Sequence, residues 1–365
     1  MQKRCVRLRD KVAVSIFVVM DEKPKRRIRY SGTHPKSFKE KYKEQNPEKY
    51  GDDVAKIIQQ GKTPAGMHRP ICVDEIMAFL NIKPGQVGMD ATLGYGGHSA
   101  EILKALKGKG KLFATDVDSI ELPKTTERLR ALGYGEEIFF PRKMNFAGID
   151  VIAAEAGPLN FVLADLGVSS MQIDNPDRGF SYKVEGPLDL RLNPKGKITA
   201  ATILEEITQG ELQELLFEYS DEQYAEPISK LIVKKRSAGL RIETTADLQQ
   251  IIGEALSFIP PQERKEQVKK ACQRCFQALR IAVNNEFEML EKFLDKLPDA
   301  LAPGGRVAIL TFHSGEDRRV KKAFQYFLRA EIFSEITAEP VRASAEECFA
   351  NPRAKSAKLR WAVKK

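Results

Sequence analysis

A chain of 365 residues, 42% of them hydrophobic, is long enough for two or three domains with real cores. Its five cysteines (Cys5, Cys72, Cys272, Cys275 and Cys348) are odd in number and scattered, which argues against a disulfide framework and for a reducing, cytoplasmic setting. The formal charge of +9 lies in residues 1–66, which hold 17 Lys+Arg and 8 Asp+Glu; totals of 59 and 50 leave 42 of each sign in the rest.

Residues 1–20 read as an uncertain leader. The apolar run from Val12 to Met20 is far too short to span a bilayer and has no small-residue cleavage site, so no membrane partner is expected; Met20 is an alternative natural start. Residues 21–66 form a basic N-terminal extension, with helices predicted near 35–45 and 52–60 and a linker over 61–66. Tyr30, Phe38, Tyr42 and Tyr50 interleave with its charges, a pattern that suits nucleic acid through counterion release and stacking; a solubilising tail is the plain alternative.

From Met67 an α/β pattern begins. A helix is predicted over 73–80, a strand over 86–91, a helix over 99–106 and a strand over 111–115. A helix over 122–131 and strands over 137–140 and 161–165 follow. Between the first strand and its helix, Gly94, Gly96 and Gly97 allow a tight turn with close backbone approach to a ligand. Asp116 ends the second strand 20 residues after Gly96, the layout that places a ribose under a carboxylate. No glycine follows Gly96 by three residues, so the turn lacks the dinucleotide spacing. S-adenosylmethionine, which carries no phosphate, suits it better. A ligand-free glycine turn remains the bland reading.

Residues 173–272 contain no convincing parallel strand. Helices are predicted over 198–207, 211–219, 225–237 and 245–257, making this segment a helical insertion that walls a substrate pocket. Cys272-x-x-Cys275 has no second pair and no nearby histidine, and reads as ordinary helix cysteines, not a metal site. The α/β pattern returns with a helix over 276–294 and strands over 306–311, 332–337 and 357–363. The expected architecture is α/β: a Rossmann-like, mostly parallel seven-stranded sheet. Its catalytic domain is split into 67–172 and 273–365, and ligands sit at the carboxyl ends of the strands.

These motifs resemble those of the RsmH/MraW family of ribosomal small-subunit RNA cytosine-N4 methyltransferases, a class I S-adenosylmethionine-dependent family. The resemblance rests on His68-Arg-Pro-Ile71, Asp90-Ala-Thr-Leu-Gly-Tyr-Gly-Gly-His-Ser99, Asp165-Leu-Gly-Val-Ser-Ser170, Arg178-Gly-Phe-Ser181 and Gly186-Pro-Leu-Asp-Leu-Arg191. Phe276-Gln-Ala-Leu-Arg-Ile-Ala-Val-Asn284, Phe312-His-Ser314 and Asn351-Pro-Arg353 extend it, and it covers about residues 67–363. It implies cofactor contacts at Gly96, Gly97, His98, Asp116, Phe146, Asp165 and Gln172. Asp116 would accept from the ribose hydroxyls, Phe146 would pack on adenine, and Asp165 and Gln172 would orient the amino-acid portion or the incoming base. Core packing for Phe146 and a helix-start role for His98 are the competing readings.

Two departures stand out. Gly315 occupies a position where the family usually has Leu, which would loosen that loop, and the extension 1–66 has no counterpart in the typical enzyme.

A cytosine amine is a poor nucleophile, so an acceptor for its N–H is expected: Asp165, or the carbonyl of Leu166. Arg178, Asp189 and Arg191 are candidate substrate contacts, with a loop-stabilising salt bridge as the alternative. Arg280, Asn284 and His313 are candidates for the opposite side, and structural roles compete for each. The expected partner is ribosomal RNA or the small ribosomal subunit, and a homodimer stays open. The rival readings are a methyltransferase acting on another RNA site, DNA or protein, a nucleotide-dependent oxidoreductase, and a non-catalytic ribosome-assembly factor.

Overall fold

The computed structural model describes residues 70–365. The basic extension, its two predicted helices, the linker, and His68 and Arg69 lie outside them. Short apolar runs form β1 (Val87–Asp90), β2 (Lys111–Asp116) and β4 (Leu159–Asp165), each largely buried, as parallel strands covered by helices on both faces must be. With β3 (Phe139–Lys143), β5 (Leu301–Thr311), β6 (Phe333–Ile336) and β7 (Lys358–Lys364) they make one seven-stranded sheet of order β3-β2-β1-β4-β5-β7-β6. β1 to β5 pair in parallel; β7 runs antiparallel to both β5 and β6. The strand order reverses beside β1, between β2 and β4, and that is where a crevice opens at the carboxyl edge of such a sheet.

Two apolar layers clothe the sheet. On one side α1 (Val73–Leu80) and α2 (Gly97–Leu106) bury Ile76, Leu80, Ile102 and Leu106 with Phe139, Phe161 and Leu310. α3 (Glu121–Ala131) adds Leu122 and Leu129 to that layer. On the other side Met89, Phe113, Val162 and Ile309 pack with residues of α4 (Ile149–Ala156) and of two later helices. The sequence reading did not predict α4.

After the short α5 (Ser170–Asp174), the chain leaves the sheet for α6 (Ala200–Glu206), α7 (Gln209–Ser220), α8 (Ala225–Ser237) and α9 (Thr245–Ala255). Reciprocal capping pairs start three of these helices: Thr199 with Thr202, Thr208 with Glu211, and Thr244 with Asp247. They have their own apolar cluster, running from Leu188 to Leu279. That cluster corrects the expected edge at residue 272, which falls inside the single helix α10 (Pro261–Asn284). The charged stretch from Gln262 to Lys270 hid the first half of α10, although Pro261 stands at its first position, where proline is favoured. Cys272 and Cys275 are buried in this cluster, and burial pushes the Cys272 thiol up to about 12, as suits inert core cysteines.

The helix predicted over 276–294 is two helices. Asn285, with φ 50°, takes the left-handed conformation that asparagine tolerates and separates α10 from α11 (Glu286–Ala300). Past β5, α12 (Ser314–Arg329) was not foreseen; α13 (Ala345–Ala350) precedes β7. No helix among the described residues is long and apolar enough to cross a membrane.

Candidate active site

β1, β2 and β4 end in Asp90, Asp116 and Asp165, and a cavity of about 430 Å³ opens at this edge. The buried Asp90 anchors the turn that follows: its Oδ2 accepts from Ser99 Oγ at 2.6 Å and its Oδ1 from the Thr92 N–H at 3.1 Å. Sequence reading gave Asp90 no role, although it opens the glycine motif.

Gly96 has φ 80° and begins α2; a Cβ there would lie 2.8 Å from Thr125 Cγ2. At Gly97 the constraint is packing, since a Cβ would meet Pro70 Cγ at 2.2 Å. The turn is tied to the end of β2 because the Gly94 N–H donates to Asp116 Oδ2 at 2.8 Å. Asp116 Oδ1 accepts from the Asp118 N–H at 2.8 Å. Burial nevertheless pushes the Asp116 carboxyl up to about 6.

His98 bridges two segments. Its Nε2 lies 3.0 Å from the Ile71 carbonyl and its Nδ1 3.5 Å from Asp165 Oδ2. Asp165 is also raised to about 6, chiefly by burial; the nearby His98 opposes the rise, while Asp90 and Glu316 add to it. The Asp165 N–H donates to Thr92 Oγ1 at 2.7 Å, so the ends of β1 and β4 are joined. Phe146 follows β3, lines the cavity, and meets Phe293 edge-on at 5.3 Å between ring centroids. It therefore takes part in both core and cavity wall.

Gly96, Gly97, His98, Asp116, Phe146, Asp165, Gln172, Arg280 and Asn284 all line this one cavity. Arg178, Asp189, Arg191 and His313 are not part of its lining, and four expectations change accordingly. Arg178 is buried: it donates through Nη1 to Asp118 Oδ2 at 2.9 Å and through Nη2 to the carbonyls of Arg191 and Leu192. Its expected substrate contact is corrected to a positioning role, because the guanidinium is enclosed by these partners. Asp189 and Arg191 form the loop-stabilising salt bridge, with Arg191 Nε 2.8 Å from Asp189 Oδ1 and a second contact between Nη2 and Oδ2. His313 caps α12, its Nδ1 3.4 Å from the Glu316 N–H.

Gln172 lines the cavity, yet both ends of its amide are engaged within the protein. Oε1 accepts from the Ser169 N–H at 2.9 Å, and Nε2 donates to Asp118 Oδ2 at 2.8 Å. Asp118, two residues past Asp116, is fully buried and accepts from both Gln172 and Arg178. Gly315 lies in the first turn of α12, where a Cβ would come 2.5 Å from Phe287 Cζ. That ring fills the space, and Arg319 stacks 3.6 Å above its centroid. The segment expected to be loosened is the start of a helix.

The lining fits a cationic ligand without phosphate. Among the described residues it holds Asp116, Glu121, Asp165, Glu286 and Glu316 but no lysine, and the two arginines there are paired, Arg280 with Glu286 and Arg353 with Asp174. A sulfonium and an ammonium group meet favourable charge here, whereas a pyrophosphate would not.

The MraW methylase family model matches residues 65–365. The chain is 64% identical over 344 residues to ribosomal RNA small subunit methyltransferase H 2 of Alkaliphilus metalliredigens, covering 94% of this chain and 99% of the relative. It is 62% identical over 340 residues to ribosomal RNA small subunit methyltransferase H 1 of Lachnoclostridium phytofermentans, covering 93% of each. A solved S-adenosylmethionine-dependent O-methyltransferase of Thermotoga maritima aligns with 80% of this chain and 64% of its own, at 12% identity and a TM-score of 0.37, too loose a likeness to argue from. The family match spans the sheet, the helical insertion and every cavity residue named above, and the chain belongs to the MraW methylase family.

Proposed function

We propose that this protein is an S-adenosylmethionine-dependent methyltransferase that modifies the exocyclic N4 of a cytosine in small-subunit ribosomal RNA. The observation that carries the reading is the acidic cavity built around Asp116, Asp165 and the Gly96–Gly97 turn, which has no lysine among the described residues. The names of the relatives from Alkaliphilus and Lachnoclostridium support the choice of RNA. In this reading the seven-stranded sheet with the helices packed on it forms the catalytic unit, the helical insertion, which shares α10, walls the substrate side, and the protein acts in the cytoplasm, where small subunits mature.

The bound cofactor supplies an electrophilic methyl group on a cationic sulfur. The chain supplies position and charge, which is most of what an in-line transfer requires. Asp116 accepts from the ribose hydroxyls with the lone pairs that its two backbone donors leave free. Phe146 offers an apolar face to the adenine. The Gly96–Gly97 main chain admits the methionine end, with His98 holding Asp165 in place beside it. Asp165, or the carbonyl of Leu166, accepts one N–H of the cytosine amine and raises the availability of its lone pair. Gln172 and Arg178 act through Asp118 and keep the end of β2 in register with α5. A stacked cytosine must leave its stack to reach this cavity. The basic extension adds affinity for the RNA backbone.

Deleting the gene and mapping methylated cytosines in small-subunit RNA tests this reading. The expected result is loss of one N4-methyl mark that the intact protein restores and an Asp116→Ala variant does not. An unchanged methylation map would overturn it.

A further inference from the structure

A second part of the cavity lining comes from the end of α10, the start of α11 and the junction of β5 with α12: Arg280, Asn284, Glu286, Phe312 and Glu316. Hydrogen bonds show which of these groups have capacity left. Asn284 is committed, accepting from the Leu192 N–H and donating to the carbonyls of Leu190 and Arg280. Arg280 grips Glu286 through Nε and Nη2, each at 2.8 Å, while its Nη1 has no hydrogen bond among the described residues. Glu316 is 3% exposed; its Oε2 accepts from the Phe312 N–H at 2.9 Å. Oε1 has the His313 ring beside it, with Nε2 at 3.1 Å but not aligned as a hydrogen bond.

Capping explains half of this arrangement. Glu316 is the third residue of α12, and a carboxylate there suits the helix start. Capping uses Oε2, and Oε1 lies against His313; the side chain lines the cavity, where a buried carboxylate with lone pairs left over needs partners. Burial opposes the charge of Glu316, but His313 and Arg280 outweigh it and hold the carboxyl below its ordinary range, so the group is an anion at neutral pH.

We propose that Glu316 is a second catalytic residue of the methyl transfer, accepting one N–H of the target amino group, and that Arg280 Nη1 donates to an acceptor on the same base edge. This deepens the cytosine reading above and rests on it. An amino group has two N–H bonds. With Asp165 or the Leu166 carbonyl on one and Glu316 on the other, the nitrogen lone pair is drawn out of conjugation with the ring. Cytosine presents an amino donor beside ring acceptors, which matches a carboxylate beside a guanidinium N–H. Uracil places an oxygen where the amine would be, and the carboxylate repels it. As the new N4–CH3 bond forms, the S–CH3 bond breaks and its electron pair stays on sulfur. N4 then carries one proton too many, which passes to the Glu316 carboxylate and from there to water.

The test uses the full chain and its Glu316→Gln variant, which keeps the shape and an acceptor for the Phe312 N–H. Turnover is measured on small-subunit particles from cells lacking this protein. Binding of cytidine and uridine monophosphates is measured in the presence of S-adenosylhomocysteine, with cofactor affinity and thermal midpoint as folding controls. The expected result is a fall in kcat of about a hundredfold or more, cofactor affinity within about twofold, and loss of the preference for cytidine over uridine. Turnover within about threefold of the parent, with the preference intact, would overturn the role of Glu316 while leaving the cytosine reading in place. A parent protein that neither methylates cytosine N4 nor prefers cytidine would overturn both. If Glu316→Gln lowers the midpoint and cofactor affinity as much as it lowers turnover, the residue is a helix cap only.

Discussion

Asp118 Oδ2 accepts from Arg178 Nη1 at 2.9 Å inside the protein, joining the end of β2 to the segment after α5. Gln172 shares the same oxygen, and the other carboxylate oxygen accepts from the N–H groups of Ile120 and Glu121. The site is thus framed by an acid two residues beyond the one expected to hold the ribose.

Breaking this pair should unfold the frame rather than erase chemistry. Arg178→Ala leaves a buried carboxylate without its cation, at a cost of about 3–5 kcal/mol. Burial raises the Asp118 carboxyl, but Gln172 and Arg178 outweigh it and leave the net value lowered. Its stabilising contribution is therefore present above the ordinary carboxylate pKa and fades as pH falls through the lower folded value. Urea titrations of both proteins should show the gap at pH 7 and a smaller gap in acid. Equal midpoints at pH 7 would remove the pair from the frame.

Asp116→Ala should weaken cofactor binding by about a hundredfold, the loss of charge-assisted hydrogen bonds totalling about 3 kcal/mol. Calorimetry on the folded variant measures this directly, and parent-like affinity would end the ribose assignment.

Cofactor affinity should rise with pH. Asp116 and Asp165 both stand near 6, above the ordinary carboxylate value, so the folded protein without ligand holds their protons through pH 4–6 and loses stability as they leave. A cationic ligand favours the ionised forms and must displace protons at low pH. Affinity should fall about tenfold or more between pH 7.5 and pH 5, with protons released on binding. In Asp116→Asn the slope should flatten; a parent protein with flat affinity over this range would contradict the assigned charges.

Gly97→Ala should destabilise the protein by about 1–3 kcal/mol, as overpacking does, because its Cβ would press on Pro70. A thermal melt compared with that of Ala100→Gly, a change elsewhere in α2, separates this clash from helix propensity. A clash-free Gly97→Ala would show that Pro70 yields.

Removing residues 1–66 should lower RNA affinity and flatten its dependence on salt, each lost phosphate contact reducing the log–log slope by about 0.7–0.9. An unchanged slope in filter-binding titrations would return the extension to a solubility role.

Local chemistry determined much of this protein. The periodicity of Val73–Leu80 gave α1 to the residue, and the buried runs ending in Asp116 and Asp165 gave two strands and the edge where ligands sit. Glycines spaced without the dinucleotide pattern pointed to a nucleoside cofactor, because turn geometry and backbone approach are properties of neighbouring residues. Tertiary structure decided what depends on distant partners. It used the guanidinium of Arg178 on Asp118, closed Asp189 on Arg191, split the predicted helix at Asn285, and turned Glu316 into the cavity beside Arg280. A charged side chain in a sequence looks equally available for substrate or for structure. Only the fold brings its counter-charge within reach, and that pairing settles which of the two it serves.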